Sequence, residues 1–265
     1  GAADFAGSVV ALGALGVVTH MTLDVEPTYE MAQRVYVNVP LSDLADGLAE
    51  VLGAAYSVSV FTGWRDDAAV WLKYRTDQPE PEWAGGRPAT HAVHPVPGVS
   101  PEFCTEQLGV PGPWHERLPH FRPEFTPSAG DELQSEFWLA DTDAPAAFAA
   151  IRELGDQVAP VLHIAEIRAV RADDLWLSPA YGRDSVTFHF TWIRDAAAVA
   201  PVLAAVERRL MPLDARPHWG KLTSAAASDI IGRYERADDF ARLMRAYDPK
   251  GKFRNPFVDR LSPPS

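Results

Sequence analysis

Along this chain, stretches in which apolar and polar residues alternate with a period of two are interleaved with stretches whose apolar positions recur at helical spacing. Met31 to Asn38 reads as a strand, Ser42 is placed to cap a helix running to about Leu52, and Tyr56 to Thr62 and Val70 to Arg75 read as a hairpin around Gly63-Trp64-Arg65-Asp66-Asp67. The same order returns downstream. Leu133 to Leu139 is strand-like, Asp143 and Pro145 open a helix to about Val158, Val161 to Val170 and Ser185 to Trp192 are strands, and Ala196 to Leu210 is a further helix. Two β-α-β-β-like units predict an α+β fold, with one large antiparallel-rich sheet and flanking helices mainly on one face. The repeat is one of pattern, not of sequence.

Three segments fall outside this rhythm. Ser8 to Asp24 mixes small and β-branched residues with glycine before Pro27 interrupts it, and reads as the end of a preceding unit. Gln78 to Gly130 is a connection rich in Pro, Gly and His; its aromatics Trp114, Phe121 and Phe125 argue for order, and so for short elements or a functional loop. A last helix, roughly Arg236 to Tyr247, should stop at Asp248-Pro249, because proline cannot continue the hydrogen-bond ladder, with an extended tail beyond Gly251.

Composition narrows the function classes. The chain has 265 residues, 47% of them hydrophobic, enough to bury a core. A net charge of −12 opposes nonspecific binding to nucleic acid or anionic lipid. The apolar run Val9 to Val18 is broken by Gly13 and Gly16 and is too short to span a membrane. One cysteine, Cys104, rules out an intrachain disulfide framework and fits a cytoplasmic setting; no neighbour in sequence activates it, so it reads as a structural thiol. The pairs His91/His94 and His115/His120 lack a carboxylate at ligand spacing, so no metal site is expected. Gly13 to Gly16 is not a dinucleotide fingerprint, and neither a phosphate loop nor a Gly-x-Ser-x-Gly motif is present.

Candidate chemistry lies on two strands. In His163 to Ala169, alternation puts Glu166 and Arg168 on one face and Ala165, Ile167 and Ala169 on the other; in Val186 to Trp192, Thr187, His189 and Thr191 oppose Val186, Phe188, Phe190 and Trp192. Two readings stand. Both polar faces could be solvated, with Glu166 and Arg168 an ordinary surface pair. Alternatively they combine with Lys221 into a pocket suited to a polyhydroxylated ligand, whose hydroxyls accept from Arg and Lys and donate to a carboxylate.

Several blocks resemble one family. Leu12-Gly13-Ala14-Leu15-Gly16-Val17-Val18-Thr19, the Gly109 to Phe121 block, Glu166-Ile167-Arg168, His189-Phe190-Thr191-Trp192, Arg216-Pro217-His218-Trp219-Gly220-Lys221 and the Asp248 to Phe257 tail follow the order seen in the C-terminal half of FAD-dependent alditol oxidases. These xylitol/sorbitol oxidases form part of the aldonolactone oxidase branch of the vanillyl-alcohol-oxidase superfamily. The resemblance implies oxidation of a terminal CH2OH of a sugar alcohol to an aldehyde, with O2 as acceptor and hydrogen peroxide released. It implies that Glu166, Arg168, His189, Thr191 and Lys221 hold the substrate, with Arg168 and Lys221 catalytic, and that Gly16, Val17, Val18 and His218 lie beside FAD. By the same resemblance residues 1–26 are the remnant of the FAD domain and its closing strand, residues 27–221 the substrate-binding domain, and residues 222–265 a C-terminal helix and tail packing toward the FAD domain. The family's upstream flavin domain, its FAD-attaching histidine and a substrate-site serine are not in this chain; a piece of a longer protein is expected rather than a partner-dependent half, and on its own it should be inactive. The alternatives are a noncatalytic polyol- or lactone-binding domain and an aldonolactone oxidase.

Overall fold

The computed structural model describes residues 2–83, 85–124 and 132–262, so Phe125 and Gly130 of the long connection lie outside it. The first unit comprises β1 (Glu30–Pro40), α2 (Leu41–Leu52), β2 (Ser57–Thr62) and β3 (Asp67–Arg75), preceded by α1 (Ala2–Val9). The second comprises β6 (Glu132–Ala140), α3 (Ala144–Arg152), α4 (Gly155–Val158), β7 (Leu162–Val170) and β8 (Ser185–Ile193). Between them lie β4 (Arg87–Pro88) and β5 (Gly112–Pro113); α5 (Ala196–Leu210), β9 (Arg216–Pro217), α6 (Ala227–Ile231), α7 (Ala237–Tyr247) and α8 (Pro256–Leu261) complete the described elements.

These strands form a single sheet in the order β4-β1-β3-β2-β7-β8-β6-β9, with β5 also on β1, and every pairing among the named strands is antiparallel. Each unit therefore has its third strand in the middle, and the units join through β2 and β7, where Phe61 faces Glu166 in register. The expected α+β architecture with two β-α-β-β units is the observed one.

Alternation decides which face becomes core. Val58, Val60, Val70, Leu72, Phe137, Ala165, Ile167, Phe188, Phe190 and Trp192 pack against α2, α3, α4 and α5 in one continuous cluster. Full burial of an aromatic such as Phe188 stabilises by roughly 1.5–3 kcal/mol. The β2–β3 turn adds an anchor: Trp64, at φ 58, is buried and packs 5.1 Å from Phe148. The Thr62 hydroxyl holds this turn by accepting from the Trp64 amide at 3.0 Å and donating to the Asp67 carbonyl at 3.0 Å.

Local departures from the sequence reading have physical causes. Ser42 does not cap α2; the helix begins at Leu41, directly after Pro40 at φ −60, and Ser42 Oγ donates to Asp43 Oδ1. The helix expected from Asp143 to Val158 is two helices: α3 ends at Arg152, Leu154 leaves the helical region at φ −93 and ψ 4, and α4 starts at Gly155, where a Cβ would lie 2.4 Å from the Trp64 carbonyl oxygen. The tail after Gly251 is not extended: Asn255 Oδ1 accepts from the Phe257 and Val258 amides and starts α8. The strand expected around Leu12 to Thr19 is not formed, and residues 10–29 carry no helix or strand and pair with none of the named strands.

The long connection lies across the non-helical face of the first unit. Phe121, Val93 and Val96 pack on Val35, Phe61, Trp71, Ile164 and Cys104, whose thiol is free and pushed by burial up to about 11. Buried Gln33 stitches it down by donating to Thr105 and to the Glu106 carbonyl at 2.7 Å. A separate apolar cluster joins Ala14, Trp176 and Leu177 to Tyr234, Phe240, Leu243, Met244 and Val258 of the C-terminal segment.

Candidate active site

On the second unit the non-helical face carries charge. Register places Glu166 beside His189 on the β7–β8 pair, Glu136 beside His189 on β6–β8, and Arg168 beside Thr187. Of the two readings of this face, the solvated surface is the one that fails: Glu166 is 8% exposed, Glu136 3% and Thr187 0%.

Lys221 arrives from the edge. The segment after β9 continues alongside β6, with the His218 amide donating to the Glu136 carbonyl and the Leu222 amide to that of Gln134. Trp219 points the other way: its indole N–H donates to the Leu177 carbonyl at 2.7 Å, and its ring packs on Tyr234 and Phe257. Beyond Lys221, Thr223 and Ser224 donate to the buried carboxylate of Glu207 on α5. The His-Trp-Gly-Lys segment is thus pinned on both sides of its lysine.

The ion pairs differ from the expected Glu166/Arg168/Lys221 trio. Lys221 Nζ lies 2.5 Å from Glu136 Oε2, and Arg168 Nη2 3.2 Å from Glu136 Oε1. Arg168 Nε is 3.6 Å from Glu166 Oε1, so the guanidinium bridges the carboxylates. Glu136, absent from the sequence reading, is the hub. Burial alone would raise its carboxyl; Lys221 and Arg168 outweigh that and hold it below the usual glutamate range. Glu166 is likewise desolvated, yet the hydrogen bond from His120 and the nearby His189 and Arg168 keep it well below that range. Both are carboxylates near neutral pH.

Lys73 and His120 also enter unannounced by the pattern. His120 Nε2 lies 3.0 Å from Glu166 Oε1, and Lys73 Nζ 3.0 Å from His120 Nδ1. The two basic groups reach this face from β3 and from the long connection, which no periodicity linked to it.

The remaining expected residues divide. His189 stands 3.9 Å from Glu166 Oε2 with its Nε2 buried and unbonded, and Thr191 is two positions along the same face. Thr187 Oγ1, also buried, has no hydrogen-bond partner among the described residues. His218 is half-buried at the edge, its Nδ1 accepting from the Gly220 amide, and burial followed by Lys221 lowers its pKa. Val17 and Val18 are 78% and 72% exposed, and none of the ion pairs of this face involves Gly16, Val17 or Val18.

Acceptors (Glu166, Glu136), donors (Arg168, Lys221) and groups that do both (His189, Thr187, Thr191) alternate over one sheet face.

The D-arabinono-1,4-lactone oxidase family model matches residues 134–261, from β6 to α8. Alditol oxidase of Streptomyces sp. is 52% identical over 259 residues, 97% of this chain and 62% of the relative. The chain is homologous to alditol oxidase. It matches the C-terminal part of that enzyme and spans less than two thirds of its length. L-gulono-1,4-lactone dehydrogenase of Mycobacterium tuberculosis is 23% identical, over 98% of this chain and 64% of the relative. Cholesterol oxidase of Brevibacterium sterolicum shares the fold at a TM-score of 0.65 and 10% identity, covering 89% of this chain and 60% of that one. Among the described residues no helix is long and apolar enough to cross a membrane.

Proposed function

We propose that this chain is the substrate-binding part of an FAD-linked oxidase that converts the terminal CH2OH of a sugar alcohol, such as xylitol or sorbitol, to an aldehyde. The observation that carries the reading is the chain of charges in which partly exposed Arg168 joins buried Glu136 and Glu166, with Lys221 at its end, together with the alditol oxidase homology. Glu166 accepts a hydroxyl of the bound polyol. Arg168 and Lys221 stabilise the partial negative charge that develops on the reacting oxygen, an effect enlarged where water is excluded. His189 and Thr191 reach further along the polyol and read its length.

FAD is the cofactor of this reading, and when bound it supplies hydride uptake and electron delivery to O2, with hydrogen peroxide released. The residues proposed to lie beside it are Gly16, Val17 and Val18, of which the two valines are exposed, and His218, which stands beside Lys221 at the edge of the polar face. On the same reading, residues 1–26 belong to the FAD domain, 27–221 to the substrate domain, and 222–265 pack toward the FAD domain. The shared apolar cluster of Ala14 with Tyr234, Phe240 and Met244 supports grouping the two ends. The setting proposed is cytoplasmic, and the isolated chain is expected to be inactive.

A second reading, an aldonolactone oxidase, is favoured by the family model over residues 134–261. The two separate when the full-length protein is assayed for peroxide with xylitol, sorbitol and an aldono-1,4-lactone. Polyol turnover exceeding lactone turnover supports the first; the reverse order supports the second. If neither substrate reduces the flavin, both fail and the noncatalytic binding domain stands. Polyol binding by the isolated chain that vanishes in Glu166→Ala would support that binding domain.

A further inference from the structure

Two basic side chains from outside the second unit, buried Lys73 and half-buried His120, converge on Glu166. Lys73 is 1% exposed, and its ammonium donates to the Leu118 carbonyl and to His120 Nδ1 at 3.0 Å. His120 stands edge-on to Phe61 at 5.2 Å and to Trp71 at 5.5 Å. Its backbone carbonyl accepts from the Thr105 amide at 3.0 Å, so neither ring nor loop is free to turn. With Nδ1 accepting from Lys73, the ring proton sits on Nε2 and is donated to Glu166 Oε1 at 3.0 Å. The two oxygens of Glu166 are thereby unequal. Oε1 is held by His120 and faces Arg168 Nε at 3.6 Å, whereas Oε2 meets His189 Nδ1 at 3.9 Å, beyond hydrogen-bond distance.

We propose that Lys73 and His120 are positioning residues for Glu166: Lys73 fixes the imidazole tautomer, His120 anchors one carboxylate oxygen, and the other is left facing a hydroxyl of the sugar alcohol. The inference rests on the polyol-oxidase reading above. The groups facing this relay are Glu166 and Arg168 from β7, His189 from β8 and the Ser59 hydroxyl from β2, 3.3 Å from His120 Nε2. Glu136 of β6 stands behind Arg168. Burial brings the Lys73 ammonium down to about 7 against the pull of Glu166, and burial likewise lowers His120. The proton that fixes the tautomer is therefore lost as pH rises through neutrality, and polyol affinity falls with it.

The test uses the full-length flavoprotein and follows anaerobic flavin reduction by xylitol across neutral pH. In the wild type the half-saturating xylitol concentration rises on the alkaline side. Lys73→Met raises it on the order of tenfold, the scale of one charge-assisted hydrogen bond, leaves the limiting rate within about twofold, and flattens the alkaline rise. His120→Gln, whose amide accepts from Lys73 and donates to Glu166, stays near wild type, while His120→Leu behaves like Lys73→Met. Wild-type half-saturation and pH profile in Lys73→Met, or equal impairment in both His120 variants, overturns the proposal. Should Lys73→Met not fold, the His120 pair decides alone. A wild-type flavin that xylitol does not reduce overturns the polyol reading itself and is recognised before any variant is compared.

Discussion

The two β-α-β-β units are built alike and used differently. Each turns one apolar strand face toward the same helical layer, and the resulting core is continuous across both. On the opposite face the first unit is roofed by the long connection, which buries Val35, Phe61 and Trp71 and leaves Lys73 as its buried charge. The second unit keeps Glu136, Glu166, Arg168 and His189 there, with Lys221 brought in from the edge. Buried charge of this density is costly unless it is paired, and here Glu136 lies between Lys221 and Arg168 and Glu166 between His120 and Arg168; on the proposed reading this is the half of the sheet that meets the substrate.

The largest effect that would sharpen this contrast falls on the shared core. Phe188→Ala should lower stability by about 3–5 kcal/mol by urea unfolding, because the cavity opens under α3 and α5 with no polar group to fill it. Next comes the charged face: Lys221→Met in the full-length protein should lower the limiting rate of flavin reduction by about two to three orders of magnitude, and, because it leaves buried Glu136 with Arg168 alone, the unfolding midpoint should fall as well. A loss confined to substrate affinity would instead make Lys221 a binding group.

The carboxylates give a pH signature. Glu136 and Glu166 have folded-state pKa values lowered below their unfolded ones, so the stability they contribute is present above the ordinary glutamate value of about 4.3 and is lost as pH falls through the lowered folded values. Lys73 gives a slope of the same sign in a higher window: its folded pKa of about 7 lies below the unfolded one, so stability rises with pH from there toward the ordinary lysine range. Denaturation midpoints across pH should show both slopes, with Lys73→Met removing the alkaline one and Glu136→Gln weakening the acid one. The smallest expected change is Thr191→Ala, a rise of a few-fold in half-saturating polyol concentration at unchanged limiting rate, as for one neutral hydrogen bond.

Much of this was legible in the residues. The period of two in Val186 to Trp192 has a clean apolar face, and that face is the core; α5 over Ala196–Leu210 begins at Asp195, whose carboxylate caps it. Glu166, Arg168, His189 and Lys221 were named from alternation and resemblance, and they share one neighbourhood. What the pattern missed was tertiary in origin. Glu136 lies in a strand whose alternation, Gln134-Glu136-Trp138 against Leu133-Ser135-Phe137, was available but unread, and Lys73 between Leu72 and Tyr74 was a charge in an otherwise apolar strand. His120 had no such signal, since its place comes from a loop folded back over the other unit. The N-terminal segment forms no strand among the described residues, although its glycines and β-branched residues suit one; on the proposed reading its strand neighbours belong to the FAD domain.

The central claim is that the polar face of the second unit holds the polyol through Glu166. The direct measurement is the xylitol dependence of anaerobic flavin reduction in the full-length protein, wild type against Glu166→Ala, with dithionite reduction as the control that the flavin is intact. The account predicts a half-saturating concentration raised on the order of a hundredfold in Glu166→Ala, the upper scale for losing a charged hydrogen-bond partner, with dithionite reduction unaltered. Saturation of Glu166→Ala at the wild-type concentration of xylitol would contradict it.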